Sequence, residues 1–436
     1  MRRRVLVGIV LSTLVAGASP ALAQPRPFRG LFGAEDGAVA PPESLELTAS
    51  MFGVHDDHLP QFRGRTGAGP GDQAFYYNDL RAGLWYTRRG RQVTFATSGS
   101  SSLQHIPQVN NILRSSHAGA VGIAVTSRRS TFGAEQRLIY SPFYRFRLIP
   151  VPGGSISDPT LELGQSAAAD AAFAVAGRES FQHNTGLSWA YQTDSQSTLN
   201  LEYRHEYIDY LQDSALDWRL NDARASWSRA LTRNAAFVAG YGFHERDVRG
   251  NQSLRRHDIN IGVDYNSELA FSPRTRFDFS VGSTVVSNSR AVSDQQTTYI
   301  RMIGQASLDH ELSRLWHLGA SYERGTQYVE GISQVFSSDS ISGSVSGYLG
   351  RRVNIRATTG YSTGALQFSI RDRGYDTHAS TARVRVAVSR MLAAEAAYLY
   401  YRFVFSDAVT LPTGIPSREN RHVFRVGLTT WFPLLP

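Results

Sequence analysis

The segment Asp258-Ile259-Asn260-Ile261-Gly262-Val263-Asp264-Tyr265 carries an apolar side chain at every second position and a polar or small residue between. Successive side chains of a β-strand point to opposite faces, so this alternation predicts a strand with one apolar and one hydrophilic face. Such a strand belongs in a sheet whose two sides meet different surroundings. The fold therefore depends on how many of these strands the chain contains and how they are connected.

The same alternation recurs in about eighteen windows, most of them roughly 11 to 14 residues long, whereas globular strands average about five or six. Membrane-spanning strands need about nine to eleven residues. The windows are 43–54, 75–87, 92–99, 117–126, 131–141, 183–193, 198–209, 218–229, 234–245, 255–266, 275–287, 297–310, 315–328, 338–349, 353–364, 377–389, 393–404 and 421–432.

The connections between the windows alternate between short and long. The short ones are 88–91, 127–130, 194–197, 230–233, 267–274, 311–314, 350–352 and 390–392. The long ones are 55–74, 100–116, 142–182, 210–217, 246–254, 288–296, 329–337, 365–376 and 405–420. Short turns at one end and long loops at the other are typical of outer-membrane β-barrels.

We therefore predict an all-β fold, a transmembrane antiparallel up-and-down barrel of about 18 strands with short periplasmic turns and long outer loops. Sixteen strands remain if 92–99 and 117–126 are misread. An even count places both chain ends on the periplasmic side. The barrel is predicted over 43–432, with a short periplasmic segment at 24–42 before it and a C-terminal tail at 433–436.

The first 23 residues have the pattern of a secretory signal peptide. Three arginines, Arg2, Arg3 and Arg4, precede an apolar run at 5–18, and Ala21-Leu22-Ala23 forms a small-x-small cleavage site. We expect export across the inner membrane.

The composition excludes several classes of protein. The 436 residues include no cysteine, which rules out a disulfide framework or a thiolate metal site. A mean hydropathy of −0.27 excludes a polytopic helical membrane protein. All 45 basic residues are arginine, but their excess lies on the short turns, so a nucleic-acid partner is not expected. No catalytic constellation is recognisable, and we expect neither an enzyme nor a cofactor nor a metal.

The last strand resembles the C-terminal assembly signal of bacterial outer-membrane β-barrel proteins. The residues that carry this resemblance are Gly427, Trp431 and Phe432, although Thr430 replaces the usual hydrophobic residue and four residues follow the aromatic pair. The resemblance implies a porin-like barrel in the bacterial outer membrane, folded there by the barrel-assembly machinery. It also implies contact with outer-membrane lipid and lipopolysaccharide.

A looser resemblance is carried by Phe28-Arg29-Gly30-Leu31-Phe32-Gly33 and by Gly53-Val54-His55-Asp56-Asp57 at the end of the first strand. Both stretches are similar to β-barrel porins associated with the export of surface polysaccharides. This resemblance implies a conduit for an exported polysaccharide. The His-Asp-Asp-His run at 55–58 also has metal-ligand chemistry, but its loop position favours a solvated loop.

The strand face opposite to the apolar one carries charges of both signs, which favours a water-filled lumen. The predicted pore-lining arginines are Arg81, Arg137, Arg204, Arg224, Arg276, Arg301, Arg356, Arg383, Arg385 and Arg425. The predicted pore-lining acids are Glu135, Glu202, Asp222, Asp258, Asp264, Asp278, Asp309 and Glu323. These charges either pair across strands to stiffen the wall or contact a permeating solute.

Two further features bear on transport. The longest connection, 142–182, is a candidate constriction loop through Asp158, Glu162, Asp170 and Glu179, or else an outward loop that meets lipopolysaccharide. The short turns form a basic periplasmic rim that either anchors in lipid phosphates or concentrates anions at the inner mouth. The rim residues are Arg88, Arg89, Arg91, Arg128, Arg129, Arg351 and Arg352.

The sequence thus favours a channel, either for hydrophilic solutes or for an exported polysaccharide. A closed structural or adhesive barrel is the alternative, and a hydrolase located at the rim is the least favoured. The oligomeric state is left open.

Overall fold

A computed structural model describes residues 42–58, 61–62, 74–107, 112–144, 176–211, 217–248, 254–269, 272–288, 297–329, 332, 335–366, 373–412 and 415–435. The predicted signal peptide, nearly all of the predicted segment 24–42 and the stretch 28–33 lie outside these residues. Among the described residues, no helix is long and apolar enough to cross a membrane.

Twenty β-strands make up the described structure. They are β1 (Glu43–Asp56), β2 (Gln61–Phe62), β3 (Phe75–Arg89), β4 (Val93–Ile106), β5 (Ile112–Thr126), β6 (Ser130–Ser141), β7 (Ala176–Gly177), β8 (Ser180–Gln192), β9 (Ser197–Tyr210), β10 (Trp218–Ala230), β11 (Ala235–Val248), β12 (Leu254–Leu269), β13 (Ser272–Asn288), β14 (Thr297–Ser313), β15 (Trp316–Tyr328), β16 (Val335–Leu349), β17 (Val353–Leu366), β18 (Arg373–Ala387), β19 (Leu392–Phe405) and β20 (Arg418–Leu435).

Eighteen of these strands form one closed sheet, in which each strand pairs antiparallel with its neighbours in the chain. The barrel closes where β1 pairs with both β3 and β20. The two-residue strands β2 and β7 pair separately, parallel to each other. The predicted fold and its count of eighteen strands are confirmed, and the alternative of sixteen is excluded.

The two strand faces have the predicted characters. Large apolar side chains on one face are exposed all around the barrel, among them Met51, Val121, Ile261, Met302 and Val426. A continuous exposed apolar band is stable only against lipid, since soluble proteins rarely expose large contiguous apolar patches. The exterior is therefore that of a membrane barrel. We call the end with the long connections the outer end.

Several strands are longer than predicted. The serine-rich segment 98–102 continues β4 to Ile106, and β5 already begins at Ile112. Polar residues on both faces hide the apolar–polar alternation in this segment. The backbone hydrogen bonds between β4 and β5 do not depend on that alternation, so the strands continue. At the other end of the chain, β20 runs to Leu435, so residues 433–435 are part of the barrel and the predicted tail at 433–436 was wrong for them.

The short turns are shaped by a few local interactions. In the turn between β8 and β9, the backbone N–H of Gln196 donates to Asp194 Oδ1 at 2.7 Å. This bond lowers the pKa of the Asp194 carboxyl below its usual value. In the turn between β16 and β17, Gly350 has a φ of 65°, which glycine adopts without steric cost.

Candidate functional site: the lumen and its outer mouth

The strand register places all ten predicted arginines on the inward face, opposite the lipid-facing apolar residues. Their accessibility differs along the wall. Arg204, Arg224 and Arg276 are exposed, whereas the other seven are half-buried. An exposed guanidinium on the inner face requires open space in front of it. Their role in lining a conducting pore stays a prediction.

The eight predicted acids lie on the same inward face. Glu202, Asp264 and Asp309 are exposed, and the remaining five are half-buried. Seven of the eight belong to strands β9 to β15, which form one side of the barrel. Four of the ten predicted arginines, Arg204, Arg224, Arg276 and Arg301, lie on these same strands, so this side of the lumen carries charges of both signs.

The opposite side, formed by β17, β18, β20 and β3, carries Arg356, Arg383, Arg385, Arg425 and Arg81. We call these five residues the basic wall. Their counter-charges are buried beside them. Arg385 Nη2 and Arg425 Nη2 approach the two oxygens of Glu395 at 3.1 and 3.2 Å, and Arg81 Nε donates to Asp79 Oδ2 at 2.9 Å.

The ring of Phe52 on β1 lies between two of these arginines. The guanidinium carbons of Arg425 and Arg81 are 5.1 and 5.3 Å from its centroid. This distance is typical of cation–π contact, which holds the arginine side chains against the wall. The inward position of Phe52 interrupts the otherwise polar inner face and was not among the predicted site residues.

Sequence reasoning also missed a buried ion pair near the outer end of the barrel seam. Arg421 on β20 donates from Nε to Asp56 Oδ1 of β1 at 2.9 Å, and its Nη2 contacts Oδ2. Both side chains are almost inaccessible. The alternation that places Arg425 on the inward face also places Arg421 there, four residues earlier. The sequence could therefore have identified Arg421 as an inward arginine. The pairing accounts for Asp56 in the His-Asp-Asp-His run without a metal.

Across the lumen from the basic wall, His244 of β11 lies between two carboxylates. Its Nε2 is 2.8 Å from Asp258 Oδ2, and its Nδ1 contacts Asp222 Oδ1. Next along the strand, Arg246 donates from Nη2 to the carbonyl oxygen of Val329 at 3.1 Å. Among the described residues, no group of three His, Cys, Asp or Glu side chains has the arrangement of a metal site.

A buried apolar cluster, which we call the mouth cluster, lies at the outer mouth. Inward side chains of the wall meet side chains of three connections there. The wall members are Ile208, Tyr210, Trp218, Phe336, Tyr375, Tyr401, Phe403 and Phe405. The connection members are Tyr144, Ala176, Val329, Ile332, Val409 and Ile415. Because β9 and β10 lie opposite β18 and β19 in the closed sheet, the cluster reaches across the lumen.

The connection 142–182 contributes its two ends to this cluster. Tyr144 and Ala176 exchange backbone hydrogen bonds of 2.8 and 3.4 Å, and the Tyr144 ring lies 5.9 Å from that of Tyr210. Of the constriction candidates, Glu179 is half-buried just before β8. Asp158, Glu162 and Asp170 lie outside the described residues, and their role in a constriction stays a prediction.

The opposite end of the barrel carries the predicted basic rim. All seven arginines lie in or beside the short turns, and all are exposed. They are Arg88, Arg89, Arg91, Arg128, Arg129, Arg351 and Arg352. The predicted assembly-signal residues lie on β20, where Phe432 faces outward, and Trp431 faces inward and donates from Nε1 to Glu46 Oε2 at 3.2 Å.

The described strands combine a closed antiparallel sheet with an exposed apolar exterior and a charged interior. The chain is an outer-membrane-type β-barrel. No family model and no curated protein matches the sequence.

Solved porin structures are similar at low sequence identity. OccAB3 of Acinetobacter baumannii is 9% identical, with a TM-score of 0.44 over 90% of this chain and 99% of that chain. OccK2 (OpdF) of Pseudomonas aeruginosa, solved with glucuronate, is 10% identical, with a TM-score of 0.46 over 90% of this chain and 98% of that chain. OprD of the same species is 10% identical, with a TM-score of 0.43 over 92% of this chain and 98% of that chain. The fold assignment rests on this barrel's own strand pairing.

Proposed function

We propose that this barrel is an outer-membrane channel for small hydrophilic solutes. The observation that carries the proposal is the exposure of ionised side chains on the inward face, with Glu202, Arg204, Arg224, Arg276 and Asp309 as examples. Burying such groups without water or partners would cost several kcal/mol each, about the penalty of an unpaired buried charge. An aqueous lumen removes this cost and supplies a path for solutes.

The mouth cluster favours small solutes over a polymer. Its wall and connection side chains are at most 8% exposed, so this packed cluster narrows the outer mouth where a polymer chain would have to leave. A conduit for an exported polysaccharide is the less favoured reading, because it requires the mouth cluster to open.

Planar-bilayer recordings of the purified full chain test the channel. We expect discrete conductance steps, and swelling of proteoliposomes in small sugars or amino acids but not in dextran. The same protein unfolded before addition is the control. Absence of steps in a correctly folded sample would favour the closed structural barrel, and swelling in dextran would favour the polymer conduit.

A further inference from the structure

Seven outward-facing rings form a continuous belt across five neighbouring strands. Neighbouring ring centroids along the belt are between 4.7 and 6.4 Å apart. In order from β3 through β1, β20 and β19 to β18, the rings are Tyr76, His55, Phe424, Tyr398, His422, Tyr400 and His378. We call this set the ring belt. Histidine supplies three of the seven, although the exterior of a membrane barrel is otherwise apolar.

The ring belt lies at the outer boundary of the apolar band. Outward residues that lie closer to the membrane centre than the ring belt are exposed apolar side chains. They are Met51 on β1 and Val426 and Leu428 on β20. Aromatic rings of membrane barrels concentrate at the level of the lipid headgroups. The ring belt therefore faces the headgroups of the outer leaflet.

Two exposed arginines, Arg402 of β19 and Arg418 of β20, point outward near the β18–β19 end of the ring belt. Arg402 points outward from β19, directly beside His378 of β18 and Asn420 of β20 in the register. Within the described part of the chain, its guanidinium makes no ion pair and no hydrogen bond. A lipid-facing arginine without a protein counter-charge is stabilised by a phosphate of the interface.

The nearby carboxylates are already engaged. Asp376 accepts a hydrogen bond from the Tyr361 hydroxyl at 2.8 Å, and Asp57 accepts one from the backbone N–H of His422 at 2.7 Å. The Tyr398 hydroxyl and His422 Nδ1 share a hydrogen bond of 2.7 Å. Neither carboxylate pairs with Arg402 within the described residues, so the N–H donors of its guanidinium face the headgroup layer.

An apolar groove lies at the other end of the ring belt. It has a volume of about 420 Å³ and is lined by Gly53, His55, Tyr76, Phe424 and Val426, among others. A Cβ at Gly53 would meet only the Val426 carbonyl oxygen, at 3.9 Å, so the missing side chain leaves open space. The strands β1 and β19 are two strand spacings apart, about 10 Å. One lipid with several acyl chains is wide enough to reach both the groove at Gly53 and the guanidinium of Arg402.

We propose that the ring belt binds a phosphorylated glycolipid of the outer leaflet, the lipid A part of lipopolysaccharide. A phosphate binds Arg402 beside His378, the sugar rings stack on Tyr398 and Tyr400, and an acyl chain occupies the groove at Gly53. A general aromatic girdle anchors the barrel without distinguishing lipids. This site distinguishes them by phosphate and by sugar.

Native mass spectrometry of the purified full chain in detergent tests the site, with three probes: bisphosphorylated lipid A, dephosphorylated lipid A and phosphatidylglycerol. We expect wild-type protein to retain bisphosphorylated lipid A about tenfold better than dephosphorylated lipid A, the factor that one charge-assisted hydrogen-bond pair supplies. It should also retain it better than phosphatidylglycerol, which has a phosphate but lacks the sugars. Arg402→Gln should lose the preference over dephosphorylated lipid A, and Gly53→Leu should weaken binding of both lipid A forms.

The matched control is Arg324→Gln, which removes another exposed, lipid-facing arginine, one that pairs with Asp339 at 3.7 Å. It should bind lipid A as the wild type does. Heat-modified migration in gels verifies that each variant is folded. The proposal is overturned if Arg402→Gln keeps the preference, if Arg324→Gln loses it equally, or if phosphatidylglycerol binds as well as bisphosphorylated lipid A.

Discussion

Arg421 and Asp56 illustrate what a single ion pair does at the seam of this barrel. Their side chains are 2% and 0% exposed, and the hydrogen bonds between them join the first and last barrel strands. Removing one partner of a buried pair leaves the other charge without compensation. The net attraction within the pair is small, but losing one partner leaves a buried charge unpaired. The pair therefore keeps β1 and β20 together mainly because breaking it is costly.

We predict that Asp56→Asn lowers the free energy of unfolding by about 3 to 5 kcal/mol. Urea unfolding in detergent micelles measures this change. Arg418→Gln, an exposed arginine of the same strand, should change the stability by less than about 0.5 kcal/mol. An unfolding midpoint of Asp56→Asn equal to that of the wild type would contradict the structural role of the pair.

The basic wall yields a second prediction for individual residues. Arg356→Gln combined with Arg383→Gln removes two inward charges whose Cα atoms are cross-strand partners. We expect the ratio of anion to cation permeability to fall by about twofold or more, because fixed charge sets the local ion concentration in a narrow aqueous path. Reversal potentials in a salt gradient measure the ratio. An unchanged ratio would assign these arginines to wall stiffening alone.

Strand β20 leaves no room for a side chain at Gly427, one of the residues predicted to form the assembly signal. A Cβ at this position would overlap the backbone oxygen of Met51 and the ring of Phe52 on β1. We predict that Gly427→Val prevents closure of β20 on β1 and leaves most of the protein unfolded in a heat-modifiability assay. Gly99→Val is the matched control, since nothing lies within 4 Å of its Cβ position. Normal folding of Gly427→Val would contradict this argument.

The connection between β19 and β20 contributes Val409 and Ile415 to the mouth cluster, and both are nearly buried. Replacing both with Asp places two charges in an apolar cluster, which costs several kcal/mol unless the connection detaches. We predict detachment and a larger single-channel conductance. Ser417→Asp, at an exposed position of the same connection, should leave the conductance unchanged. Equal conductance in all three proteins would place the narrowest point elsewhere.

For the barrel as a whole, the basic rim concentrates charge at one end. Replacing its seven arginines with Gln tests whether it only anchors the barrel or also attracts anions. If it acts as a funnel, the anion preference should decrease, and more strongly at low than at high salt, because screening shortens the range of the rim charges. Reversal potentials at two ionic strengths measure this. An unchanged preference together with weaker retention in anionic vesicles would assign the rim to anchoring.

The sequence predicted a large part of this architecture, because the signals are local. Alternation in β12 or β17 marks a lipid-facing and a lumen-facing side chain without reference to the rest of the fold. It failed at β4 and β5, where serines on both faces remove the contrast while the backbone still pairs. The alternation also ended β20 too early, because Pro433 breaks the apolar pattern. The strand nevertheless continues, since proline is tolerated where a strand has a neighbour on one side only.

The phase of the regularly alternating strands and the sorting of short and long connections follow from the sequence alone, whereas the choice between sixteen and eighteen strands needed the closed sheet. The physical reason is that lipid on one side and water on the other penalise each misplaced side chain individually. Only the closed structure decided which inward charges stay exposed and which side chains meet in the mouth cluster and the ring belt. Those contacts join residues that are hundreds of positions apart, and only barrel closure and strand register bring them together.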